Sequence, residues 1–316
     1  MWKKLVSLFV LTLMLAAAAL GCAAQDTATV RIAALKGPTG MGLVALMGDE
    51  YKNEYAITLS GAPDEVSAGF IAGETDVAAV PINLAAALYN KLGGEAVMIA
   101  VNTLGVLYVL ENGDTVNALT DLSGKTLYAT GQGATPEYVL NYLLEKNGLS
   151  DVTVEYKTEH SELAALMAAG EITLGMLPEP NVSAAMAQNE NLRVALDLTE
   201  EWNKVSATPL VQGCLIVRRA FLEEHEGAVK RFLTDYAAST AYVNKNHKKA
   251  AALMELYGVV PSEAIAQKAI GNSNIVCLTG DEMKAAAAGM LQVLFDFNAK
   301  SVGGAVPGDG LYYGAK

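Results

Sequence analysis

Ala72-Gly73-Glu74-Thr75-Asp76-Val77-Ala78-Ala79-Val80-Pro81 returns 97 residues later as Ala169-Gly170-Glu171-Ile172-Thr173-Leu174-Gly175-Met176-Leu177-Pro178, with the Ala, Gly, Glu and Pro that frame the first copy framing the second. Each copy reads as a helix end, a glycine that stops it, a short apolar strand and a proline that closes the strand. A second correspondence, at an offset of 96, sets Thr39 against Thr135, each just after a Gly-rich turn. A chain that builds one device twice is expected to hold two similar α/β lobes.

Working outward from the first copy, Arg31 to Leu35 reads as a buried strand and Lys36-Gly37-Pro38 as a turn. A helix capped by Thr39 follows, with Leu43, Leu46 and Met47 on one face. Tyr55 to Leu59 is a second strand, Ser60 to Glu65 a turn, Val66 to Ala72 a helix, Asp76 to Pro81 a strand, Leu84 to Lys91 a helix and Ala96 to Val101 a strand. Strands alternating with helices predict a mostly parallel sheet. Around the second copy, Leu127 to Thr130 is a strand and Gly131-Gln132-Gly133-Ala134 a turn. Thr135-Pro136 opens a helix that stops at Gly148, and Val152 to Tyr156 and Ile172 to Leu177 are strands about a helix near Glu162 to Ala169. From Gln212 the chain opens a strand (Cys214 to Val217) and then helices near Glu226 to Asn244, His247 to Tyr257, Pro261 to Ile270 and Asp281 to Phe297. This segment has no copy in either lobe and reads as a return to complete the first.

The expected organisation is therefore a leader over residues 1–21, a linker over 22–29, lobe one over 30–105, lobe two over 106–211, and a return segment over 212–316. Two crossings, near Leu104 to Glu111 and Thr208 to Cys214, would be hinge strands that let the lobes close. Ligands of open α/β sheets bind beyond the carboxyl edge of the strands, and pockets favour domain interfaces. The candidate ligand-binding set follows: Lys36, Gly37, Thr39, Gly40 and Met41 in the first turn; Gly61 in the next; Pro81 and Asn83; Gly131, Gln132, Gly133, Ala134 and Thr135 in the second Gly-rich turn; Glu179; and Asn102, Thr103 and Gln212 beside the crossings. A strand that breaks into a glycine turn and feeds a helix leaves N–H groups at the positive end of the helix dipole, which suits an anionic or polar ligand. The spacing is not that of a phosphate loop.

These side chains leave alternatives open. Lys36 either fixes an anion or is a solvated turn lysine. Thr39 and Thr135 read first as helix caps, Glu179 either meets a cationic or amide-bearing ligand or faces water, and Trp202, flanked by Glu200, Glu201 and Asn203, reads as a surface-loop residue. Tyr108, Tyr128 and Tyr138 read as core. Three histidines, none with a Cys or His neighbour at ligand spacing, leave no metal site and no catalytic cluster to propose, and no cofactor is expected.

With 316 residues, 52% of them hydrophobic, the chain can support two cores. A net charge of −12 argues against nucleic acid as a partner. Lys3 and Lys4, the apolar run Leu5 to Leu20, and Gly21-Cys22 read as a cleaved leader. It resembles a bacterial lipoprotein signal, which implies cleavage before Cys22 and lipid on its thiol. Ala19, where Leu is usual, leaves a general signal peptidase open. Cys214 and Cys277 could pair in an oxidising compartment or serve as small buried hydrophobes.

From Cys22 onward the chain resembles the type II solute-binding proteins of ABC importers, in particular the NMT1/THI5-like group and binding proteins for thiamine precursors, sulfonates and nitrate. The residues that carry this are the lipoprotein-like signal, Asp121-Leu122-Ser123-Gly124-Lys125-Thr126, Gly170-Glu171 through Pro178-Glu179-Pro180, and Arg218 to Lys230. The resemblance implies a two-lobed periplasmic-binding-protein fold of type II. It also implies a monomeric lipoprotein, held outside the cytoplasm on the membrane, that hands a small-molecule solute to an ABC permease and its ATPase subunits. Enzymes on this fold, among them relatives acting on menaquinone precursors, and a ligand-sensing surface lipoprotein are the alternatives.

Overall fold

The computed structural model describes residues 26–316. The expected leader, Cys22 and the first residues of the linker lie outside them. In chain order the elements are β1 (Val30–Leu35), α1 (Pro38–Met41), β2 (Tyr55–Ser60), α2 (Pro63–Ala72), β3 (Val77–Pro81), α3 (Ile82–Lys91), β4 (Ala96–Leu104) and β5 (Leu107–Asn112). There follow β6 (Thr126–Thr130), α4 (Thr135–Lys146), β7 (Thr153–Lys157), α5 (His160–Ala168), β8 (Leu174–Pro178), α6 (Asn181–Gln188), β9 (Leu192–Asp197) and α7 (Leu198–Val205). The return segment supplies β10 (Val211–Arg218), α8 (Arg219–Glu224), α9 (Glu226–Lys245), α10 (His247–Leu256), α11 (Glu263–Ala269), β11 (Ile275–Leu278) and α12 (Gly280–Phe297).

Two sheets result. The first has the order β11-β4-β10-β3-β1-β2 and the second β7-β6-β8-β5-β9. Read from the other edge, β2-β1-β3-β10-β4 matches β7-β6-β8-β5-β9 strand for strand, and β11 adds one edge strand. The repeat in the sequence marks this correspondence: β3 and β8 start and end 97 residues apart, and Gly73 and Gly170 both hold left-handed φ angles, 75° and 77°. The sheets are less parallel than helix–strand alternation predicts. β1 pairs parallel with β2 and β3, and β6 with β7 and β8, while β10 and β5 are antiparallel to both neighbours. β5 and β10 are the strands entered straight after each change of sheet, so they run back against the sheet they join.

The changes of sheet are short. Leu104 ends β4 and Leu107 begins β5, leaving residues 105–106 as one crossing, and residues 206–210 form the other. The stretches expected as hinge strands thus lie partly within β5 and β10, with the short crossings at one end of each. Trp202 is corrected outright: it is fully buried in α7, its ring 4.8 Å from that of Tyr142, and its Nε1 donates to Thr208 O at 2.7 Å, tying α7 to the second crossing. Glu200, Asn203 and Lys204 are exposed on an amphipathic helix whose apolar side is Leu198, Trp202 and Val205. Tyr108 is buried as expected; Tyr128 and Tyr138 are half-buried. Cys214 and Cys277 carry free thiols, Cys214 wholly buried. No helix among the described residues is long and apolar enough to cross a membrane.

Candidate functional site

The carboxyl ends of β1, β3, β6 and β8 converge on a cleft of about 370 Å³ between the sheets. The first turn reaches it as Lys36 and Gly37. Lys36 N–H donates to Ser60 O and Gly37 N–H to Val259 O, both at 3.0 Å, so the turn is tied to β2 and to the return segment. Gly37 has φ 88°, and a Cβ there would lie 3.6 Å from Pro180 Cδ of the other lobe, so a methyl group added at this lip would just touch the facing one. The second turn holds Gly131 at φ 81° and Gly133 at φ 77°, and Gly133 N–H donates to Glu137 Oε2 at 2.6 Å.

Of the residues singled out in the sequence, Lys36, Gly37, Thr39, Gly61, Pro81, Thr103, Gly131, Gln132, Ala134, Thr135, Glu179 and Gln212 line the cleft. Gly40, Met41, Asn83, Asn102 and Gly133 do not. Met41 is fully buried among Val44, Val243 and Ala250, and a Cβ on Gly40 would run into the Leu35 carbonyl. Asn83 Oδ1 accepts from Thr135 Oγ1 at 2.9 Å, a bond that joins the lobes. Asn102 Nδ2 donates to Thr39 O at 3.1 Å, and its Oδ1 accepts from Thr103 Oγ1 at 3.1 Å. Gly133 sits at the exposed tip of its turn. Neither threonine is a helix cap. Gly37 and Ala134 hold the cap positions without side-chain bonds, and the Thr135 hydroxyl is spent on Asn83 instead.

His160, with Thr158 and Glu159 before it, also lines the cleft, outside the set expected from the sequence. Thr158 and Glu159 form the turn after β7 and His160 opens α5, the counterpart of Gly61 and Ala62 after β2, so carrying Gly61 across the repeat points to them. His160 Nδ1 lies 2.6 Å from Thr130 Oγ1, and burial holds the imidazole pKa below its ordinary value against the opposing pull of Glu159, so it is neutral at pH 7.

Glu179 is wholly buried under the cleft. It accepts from Ser183 N–H at 3.1 Å, Ser183 Oγ at 3.0 Å and Asn272 Nδ2 at 3.3 Å, and its pKa is raised by burial despite these bonds. Asn272 belongs to the return segment, and its carbonyl accepts from Tyr108 Oη at 3.0 Å, so one loop bonds twice across the lobes.

A family model described as menaquinone biosynthesis matches residues 22–267. No curated protein matches the chain. Among solved structures, an ABC transporter protein from Parabacteroides distasonis is 25% identical, covers 91% of this chain and 99% of its own, and superposes with a TM-score of 0.76. The periplasmic aliphatic sulphonate-binding protein of Escherichia coli is 17% identical over 88% of this chain and 89% of its own, with a TM-score of 0.71. The periplasmic nitrate-binding protein of Synechocystis PCC 6803 is 12% identical over 88% and 81%, with a TM-score of 0.60. The fold is that of the two-lobed periplasmic binding proteins.

Proposed function

The chain belongs to the menaquinone-biosynthesis family, and from the cleft between its lobes and the fold they share with binding proteins we propose that it is the substrate-binding protein of an ABC importer. It captures a small polar organic or anionic solute. Residues 105–106 and 206–210 serve as the hinge of closure, lipid on Cys22 holds the chain outside the cytoplasm, and the closed lobes present the solute to a permease driven by ATPase subunits. The chain works as a monomer, and the NMT1/THI5-like resemblance is the finer form of the same reading. The observation that carries the proposal is the cleft itself: about 370 Å³, within the range of small-molecule sites, lined from two sheets of the same strand order. The likeness in fold to sulphonate- and nitrate-binding proteins supports it.

The family description favours one second reading, an enzyme acting on a small metabolite, and the neutral His160 beside Thr130 would be its proton acceptor. A thermal-shift screen of the full chain in mild detergent against pyrimidines, thiamine precursors, alkyl sulfonates, aromatic carboxylates and nitrate separates the two. A solute at about 100 times its Kd adds about 2.7 kcal/mol to native stability. A hit recovered unchanged supports the receptor; a hit that is consumed supports the enzyme.

A further inference from the structure

Gln212, the second residue of β10, lies at the cleft, and its amide nitrogen has no partner. The residue is 8% exposed, it lines the cleft, and its Nε2 is buried without a hydrogen-bond partner. The polar neighbours are already engaged with each other: Thr103 Oγ1 donates to Asn102 Oδ1, and Asn102 Nδ2 to Thr39 O. Buried amides are nearly always paired, so one without a partner on a residue lining a binding cleft points to a group that arrives with the ligand.

The charges around it limit what that group is. Among the described residues lining the cleft, Lys36 is the one cation, and it is exposed; Glu159 and Glu179 oppose it and His160 is neutral. Glu179 lies in no ion pair among the described residues. The N-terminus of α4 is already partly answered by its own carboxylate, because Gly133 N–H donates to Glu137. An anion drawn to this floor would shed its hydration with no guanidinium to replace it. An uncharged ligand meets no such cost. A glutamine amide offers donor and acceptor side by side, and a group with N–H next to C=O pairs both at once.

We infer that Gln212 determines the specificity of the cleft and that the solute is uncharged and carries adjacent N–H and C=O groups, as lactams, ureides and cyclic imides do. The inference rests on the binding-protein reading and narrows its solute class. Calorimetric titration of the full chain in mild detergent tests it with uracil, hydantoin and 2-pyrrolidinone against acetate, methanesulfonate and nitrate at matched ionic strength. The uncharged probes are expected to bind at least about tenfold more tightly than the anions, and Gln212→Leu to weaken them by about tenfold or more. In the absence of any probe, Gln212→Leu should raise the melting temperature, because it removes a buried donor without a partner; a glutamine with a structural role would lower it. Gln212→Met gives the same comparison should the leucine variant fail to fold. Anions that bind as tightly as the uncharged probes, full binding in Gln212→Leu, or no saturable binding by any probe overturns the inference. A probe that is consumed overturns instead the reading on which it rests.

Discussion

The turns at Gly37 and Gly131 occupy the same place in matching sheets, and they are held by different parts of the chain. After Gly37 the helix α1 lasts four residues, and support comes from far along the sequence. Ser239 Oγ of α9 donates to Gly42 O at 2.6 Å, and Gly42 has no room for a side chain, since a Cβ there would lie 2.9 Å from Tyr236 Cζ. After Gly131 the helix α4 runs twelve residues, buries its own Val139, Leu140 and Leu143, and closes its turn with Glu137. One turn is thus buttressed by tertiary packing and the other by its own helix. The difference shows how two lobes of one topology can keep the cleft-facing geometry while the elements behind it diverge, because the ligand side constrains the backbone and the outer side needs only to bury apolar area.

The largest test of that contrast is a pair of alanines. Gly42→Ala is expected to cost about 1–3 kcal/mol through overpacking against Tyr236. Gly133→Ala, at φ 77° with no atom within 4 Å of the new Cβ, should cost about 1 kcal/mol from backbone strain alone. Urea titrations read both, and a larger loss at Gly133 would break the contrast. Next comes Glu179, which faces the return segment. Burial raises its pKa, so the folded chain holds the proton more tightly than the unfolded one. Stability is therefore greatest below the unfolded pKa and falls as pH rises through the folded pKa. Glu179→Gln should flatten that decline, and thermal melts across pH that keep the wild-type slope would show the carboxyl is not its source. The smallest effect belongs to the Thr135–Asn83 bond between α3 and α4: a double-mutant cycle of Asn83→Ala and Thr135→Val should give a coupling of about 0.5–1.5 kcal/mol. A coupling of zero would mean the lobes meet there without mutual support.

Much of the lobe architecture was legible because it is local. The glycine stops at Gly73 and Gly170, the prolines closing β3 and β8, and the alternation of strand and helix are all written within a few residues of where they act. β5 is legible only as a crossing strand and β9 not at all, since each depends on strands remote in sequence for its register. Trp202 was misplaced because its charged neighbours hid an apolar stripe that only a helical period reveals. His160 was passed over because an isolated histidine carries no pattern of its own, whereas its position in the repeat does.

By itself the sequence determined that there are two similar α/β lobes, that the chain crosses between them twice, and which turns stand at the sheet edges. These follow from periodicity and turn chemistry, which act at short range. The tertiary structure decided which of those turn residues face the cleft and which are spent supporting it. It set Asn83 against Thr135 and Asn102 against Thr39, and it left Gln212 Nε2 without a partner. Whether a polar side chain is satisfied depends on partners up to 63 residues away in these pairs, and no local pattern encodes that distance.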